Sequence, residues 1–257
     1  MSSNKETVGK TVGFVVAICV VCAAVVSTAA VGLKDRQIAN KLLDQQTNVL
    51  EAAGIKKPGM SSKEIVATYE KFVEAKMIDL DTGEYIEGNP ALFDERRNSR
   101  DVTKSDKPEN DIAGINRRSH DAVVYLVRDE NGKVNSVVLP IIGAGLWDLM
   151  SGFVGLEADL NTVKSVVYSE HKETPGLGAE VMNPAWKALW PGKKIYNDAG
   201  EVKAMLVKGG AKADDIHGVD GLSGATLTSV GVNNTLQFWF GKEGYAPYIA
   251  KNRGGLN

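Results

Sequence analysis

Residues 11–33 form an unbroken run without a charged side chain, made mostly of Val, Ala, Ile and Leu. As a helix, these 23 residues would be roughly 34 Å long, against a bilayer hydrocarbon core of about 30 Å. The pattern predicts one transmembrane helix over 11–33, preceded by a short tail over 1–10. Small residues at Ser27 and Ala29 also suit a signal-peptide cleavage site, but an apolar region of this length exceeds that of ordinary signal peptides. Lys5 and Lys10 precede the run and Lys34 and Arg36 follow it, so the positive charges alone do not orient it. A single N-terminal span followed by a long folded part ordinarily leaves its short end in the cytoplasm, which places residues 34–257 outside.

Beyond the run, Ile38, Leu42, Val49 and Ala53 recur at helical spacing until Gly54, a plausible helix-stop residue. Ser61 and Glu64 match a capping box, opening a second helix with Ile65, Tyr69 and Phe72 on one face. Residues 83–118 are rich in charge, Asn, Gly and Pro and read as surface loop. Then the period changes. Residues 122–127 and 134–139 are β-rich and flank Glu130-Asn131-Gly132-Lys133, a strong hairpin signal. Residues 162–168 and 202–207 read as further strands. Asn183 followed by Pro184 predicts a short capped helix, and residues 227–240 a longer one. The expected fold is α+β: a single N-terminal transmembrane helix, then a mainly antiparallel sheet domain with flanking helices. The boundaries expected are 1–10 (cytoplasmic), 11–33 (membrane), 34–118 (helices and loops) and 119–257 (sheet domain).

A net charge of −2 and a pI near 6.0 carry no basic footprint for nucleic acid. Both cysteines, Cys19 and Cys22, lie within the apolar run on one helix face. No His, Asp or Glu accompanies them, so they read as small apolar residues. The part outside the run has no cysteine, which excludes a disulfide and Cys-ligated zinc or iron–sulfur centres there. No metal site is expected, and redox chemistry in that part needs an organic cofactor.

Three segments of small residues follow predicted strands. Gly143-Ala144-Gly145 lacks the third glycine of a dinucleotide fingerprint and reads as a strand-end turn, with Trp147 either stacking on a flat ring or filling the core. Thr174-Pro175-Gly176 reads as a tight turn, and Gly178 follows it. His171 just before it is a general-base candidate or, more plainly, a structural residue. Asp220-Gly221-Leu222-Ser223-Gly224-Ala225-Thr226 opens the last long helix, where backbone N–H groups and the helix dipole favour a phosphate. Here Ser223 is either a simple N-cap worth about 1 kcal/mol or part of an anion site. Thr226 can hold a phosphate by hydrogen bonds or carry one as an ester.

Taken together, residues 220–226, Glu173-Thr174-Pro175-Gly176-Leu177-Gly178 and Gly145-Leu146-Trp147-Asp148 resemble hallmarks of the FMN-binding domain family. That family includes the C subunit of sodium-translocating NADH:quinone reductases and the G subunit of Rnf complexes. The resemblance implies FMN joined to Thr226 by a phosphoester. It places Ser223, Gly224, Ala225 and Leu227 as neighbouring N–H donors, Thr174, Leu177 and Gly178 along the isoalloxazine ring, and Leu146 and Trp147 against its face or edge. It implies an electron-transfer component of a sodium-pumping respiratory complex in the inner membrane. The partners implied are the A, B, D, E and F subunits, a flavin transferase that attaches FMN, and no nucleic acid. The soluble domain is expected in the periplasm. No catalytic side chain is expected, because the redox chemistry belongs to FMN. A helix N-terminus stabilises one negative charge by only roughly 0.3–1 kcal/mol, so the covalent bond is what would retain the flavin. The alternatives are an Rnf-type G subunit, or a membrane-anchored scaffold or sensing ectodomain with a reversible phosphate site.

Overall fold

The computed structural model describes residues 7–256; Lys5 and most of the expected cytoplasmic tail fall outside them. The chain divides into two units, residues 1–45 and 46–257. Helix α1 (Val8–Ala52) is continuous across both, so the expected span and the helical pattern after it are one element. Its apolar stretch is exposed throughout, Phe14, Val20 and Val26 included, and the helix is long and apolar enough to cross a membrane. Cys19 and Cys22 lie on it as free, exposed thiols. In the second unit the end of α1 is buried through Val49, Leu50 and Ala52, and Gly54 ends it at φ +71°, a conformation costly for residues with a Cβ.

Helix α2 (Ser62–Phe72) carries the expected capping box: the Ser61 N–H donates to Glu64 Oε2 at 2.8 Å. It runs straight into β1 (Val73–Asp79), which the sequence pattern did not separate from it. Then come β2 (Tyr85–Ile86), α3 (Glu95–Asn98), β3 (Ser105–Asp106) and β4 (Arg118–Ser119). The hairpin β5 (Asp121–Arg128) and β6 (Val134–Ala144) forms as expected, followed by β7 (Leu149–Glu157), β8 (Val163–Glu170) and α4 (Pro184–Lys187). The chain closes with β9 (Met205–Val207), β10 (Gly218–Asp220), α5 (Thr226–Trp239) and α6 (Ala246–Asn252).

The central sheet is six-stranded, in the order β2-β1-β5-β6-β7-β8, and antiparallel at every pairing. Alternation divides its side chains between two cores. Val124, Leu126 and Leu139 meet Leu236, Trp239 and Tyr248 of α5 and α6. Val123, Tyr125 and Val138 meet Val49 and Ala52 of α1, with Tyr69 and Phe72 of α2 at the margin.

Several sequence expectations change. Residues 83–118 are not simply surface loop, since they contribute short strands and a helix and bury Ser105, Ala113 and Arg118. The strand expected over 202–207 is confined to β9, which pairs in parallel with β10. A boundary at 118/119 does not separate compact units, because β1 pairs along its length with β5. Strand β7 was missed because Gly152 and Gly155 weaken a strand pattern. Tertiary packing explains Gly155: a Cβ there would overlap the Ala52 carbonyl at the end of α1. Gly155→Val is therefore expected to lower stability by about 1–3 kcal/mol or more, read as a reduced urea midpoint.

On α3, burial pushes the Glu95 carboxyl from 4.5 up to about 7, against the opposing pull of the Ser119 N–H and Arg118. The folded chain thus holds this proton between about pH 4.5 and about pH 7 while the unfolded chain releases it. Stability falls as pH rises through that window. Glu95→Gln is expected to flatten the fall, which thermal unfolding at pH 5 and pH 8 would show.

Candidate functional site

Helix α5 is laid along β6 by specific contacts. Trp239 Nε1 donates to the Ile142 carbonyl at 2.6 Å. Gly231 lets the helix touch the end of the strand, since a Cβ there would overlap the Ala144 carbonyl. This packing carries the N-terminus of α5 to the turn after β6, where Gly145 N–H donates to the Asp148 carbonyl at 2.9 Å. The segment after β8 arrives at the same place. The three small-residue segments therefore converge.

Glu173 joins them. It is 5% exposed. Its Oε1 accepts the N–H groups of Leu146 at 2.9 Å and Trp147 at 3.1 Å, and its Oε2 accepts the Thr228 hydroxyl of α5. Gly145 and Gly178 make room for it: a Cβ on Gly145 would lie 2.5 Å from Oε1, and one on Gly178 would lie 2.6 Å from Thr228 Oγ1. Trp147 Nε1 donates to Thr174 Oγ1 at 3.3 Å. Beside the turn, Lys172 holds the Asp148 carboxyl below its ordinary range.

The hydroxyls at the start of α5 are not equivalent. Thr228 is buried and bound to Glu173. Ser229 Oγ accepts the Leu222 N–H at 3.0 Å and donates to the Ala225 carbonyl at 3.1 Å. Ser223 does not cap the helix; Ala225 holds the cap position, without a side-chain bond. Ser229 thus staples the loop from inside the helix and leaves the helix front open. Thr226, the first helical residue, is exposed, and among the described residues no hydrogen bond engages its hydroxyl. The Leu227 N–H has no acceptor there either. Ala225 N–H is occupied, donating to the Leu222 carbonyl at 3.1 Å, so Ala225 is not the free donor expected.

On one side of Thr226 lies a cavity of about 690 Å³ lined also by Lys208, Gly209, Asp220, Ser223 and Gly224. The converging segments also expose apolar side chains: Trp147 at 68%, Leu227 at 62%, Leu146 at 46% and Leu177 at 42%. Trp147 is thus not core. Gly224, at φ +71°, would set a Cβ 2.9 Å from the Leu177 side chain. The uncapped helix front and Lys208 suit a phosphate, and the apolar group suits a flat ring. Among the described residues no group of His, Cys, Asp or Glu could hold a metal. His171 is structural here: its Nδ1 accepts the Glu173 N–H at 3.1 Å.

A family model described as an FMN-binding domain matches residues 145–241, which takes in Gly145-Leu146-Trp147-Asp148, the segment around Thr174 and residues 220–226. The C subunit of the Na(+)-translocating NADH-quinone reductase from Vibrio alginolyticus is 48% identical over 99% of both chains. The chain belongs to this family of C subunits. The Yersinia pestis member is 45% identical over 98% of this chain and 96% of its own. Among solved structures, Shewanella oneidensis NqrC superposes with a TM-score of 0.80 at 42% identity, covering 84% of this chain and all of that one. The C subunit from Parabacteroides distasonis gives 0.67 at 28% identity, over 88% of this chain and 98% of that one.

Every site residue expected for this family lies in the converging segments. Ser223, Gly224, Thr226, Leu227, Thr174, Leu177, Leu146 and Trp147 are accessible, while Ala225 and Gly178 are buried. Glu173, Thr228 and Lys208 were not singled out. Glu173 and Thr228 lay within or beside the motifs, but the bond between them joins positions 55 apart in sequence, which no local pattern reveals. Thr226→Ala is expected to change stability by less than about 0.5 kcal/mol. Thr228→Val, which strips a donor from a buried carboxylate, is expected to cost about 1–3 kcal/mol. Urea unfolding of the two variants measures the contrast.

Proposed function

We infer that this chain is the electron-carrying C subunit of a sodium-translocating NADH:quinone reductase, with FMN joined through its phosphate to Thr226 Oγ1. The observation carrying the site assignment is the Thr226 hydroxyl, exposed and unbonded at the uncapped start of α5, while Thr228 and Ser229 are committed to internal bonds. Full-length likeness to the C subunits favours this reading over an Rnf-type G subunit or a reversible phosphate-binding ectodomain.

FMN supplies one-electron redox chemistry when bound; the residues bind and orient it. Leu227, Ser223 and Gly224 offer N–H groups to the phosphate, and Lys208 a cation. Leu146, Trp147 and Leu177 would line the ring, with Thr174 and Gly178 fixing the turn that bears on it. Thr226 Oγ1 has no basic side chain bonded to it among the described residues, and an unassisted hydroxyl is a weak nucleophile. Attachment therefore falls to a separate flavin transferase. We place α1 in the bacterial inner membrane as a single span and the sheet domain in the periplasm, in contact with the other subunits of the complex.

The test is the mass of the denatured full-length chain purified from cells with the transferase. The wild type and Ser223→Ala are expected to carry the mass of FMN as a phosphoester, and Thr226→Leu the bare polypeptide mass. Flavin mass on Thr226→Leu would refute the assignment.

A further inference from the structure

We propose that Glu173 is a positioning residue that also acts electrostatically, its carboxylate locking the ring-lining loops onto α5 and opposing electron uptake by a flavin held there. The proposal rests on the assignment of FMN to Thr226.

The geometry carries both halves. Glu173 receives only donors: two backbone N–H groups from the turn after β6 and one hydroxyl from α5. Oε1 accepts two backbone N–H groups, which can only donate, and Oε2 meets the Thr228 hydroxyl, a donor set that suits a carboxylate. Among the described residues no cation pairs with it. Lys172, its neighbour in sequence, is 75% exposed and paired with Asp148, and the His171 ring meets the Glu173 backbone rather than the carboxylate. A charge on this buried carboxyl is held by dipoles, with no cation among the described residues beside it to neutralise it. The carboxyl binds the N–H groups of Leu146 and Trp147, whose side chains are exposed, and the hydroxyl of Thr228, two residues after Thr226 on α5. In a poorly solvated setting, a negative charge so placed acts strongly on a group that gains an electron nearby. The absence of side chains at Gly145 and Gly178 keeps the carboxylate in this position.

Glu173→Gln separates charge from shape. The amide oxygen can accept the Leu146 and Trp147 N–H groups, while the amide NH2 donates to the Thr228 oxygen. The full-length protein carrying its flavin should be titrated spectroelectrochemically, with intact mass and thermal unfolding measured on the same samples. Glu173→Gln is expected to keep the flavin mass and to raise the equilibrium constant for one-electron uptake about tenfold, an upward shift of about 59 mV. Glu173→Asp, which keeps the charge, should stay near the wild-type potential. A loaded Glu173→Gln with an unchanged or lower potential would overturn the proposal. Should that variant fail to load, Thr228→Val decides: it removes a donor and leaves the charge, so its potential should lie at or below the wild type, and a rise overturns the proposal. A wild type lacking the flavin mass would instead refute the underlying assignment.

Discussion

The site depends on one buried carboxylate. Three segments distant in sequence meet because Glu173 accepts hydrogen bonds from the turn after β6 and from α5 while itself belonging to the segment after β8. A carboxyl out of water is tolerated only where hydrogen-bond partners replace the lost hydration. Here the partners come from two elements other than its own, so the need to satisfy its oxygens ties all three together.

Close backbone approach makes this arrangement possible. Gly231 lets α5 lie against the end of β6, and Gly155 lets the end of α1 lie against β7 on the opposite face. The sheet is thus covered on both sides, and its strands carry apolar residues on both alternations. With α5 fixed along β6, its N-terminus has one place to go. The bonds of Ser229 then hold the preceding loop without using the front of the helix. An ordinary N-cap would have placed a side-chain oxygen over the N–H groups that the start of the helix leaves open.

The surroundings of Thr226 suit a cofactor carried on the surface rather than one enclosed. Large apolar side chains of the converging segments stand in solvent, and Thr226 and Lys208 line one cavity. An electron carrier needs its redox group near the surface, where partners can approach, and such openness weakens reversible retention. Membership of a family of respiratory subunits and a helix of membrane-spanning length fit a carrier held at the membrane by its anchor.

Local features were legible in the sequence. The long apolar run, the Ser61–Glu64 capping box, the hairpin at Asn131-Gly132 and the stop at Gly54 each depend on neighbouring residues, so spacing alone revealed them. The motifs around Thr174 and Thr226 carried a resemblance to the family to which the chain belongs. What remained hidden depends on contacts between distant residues. Strand β7 was not expected, and its Gly155 is explained only by the end of α1 packed against it. Ser223 looked like a helix cap until Ser229 was found holding the loop. Trp147 was as compatible with the core as with the surface. Which hydroxyl stays free and which is consumed was settled by contacts with Glu173 for Thr228 and within the loop and helix for Ser229, contacts that follow from how α5 packs on the sheet rather than from any pattern along the chain.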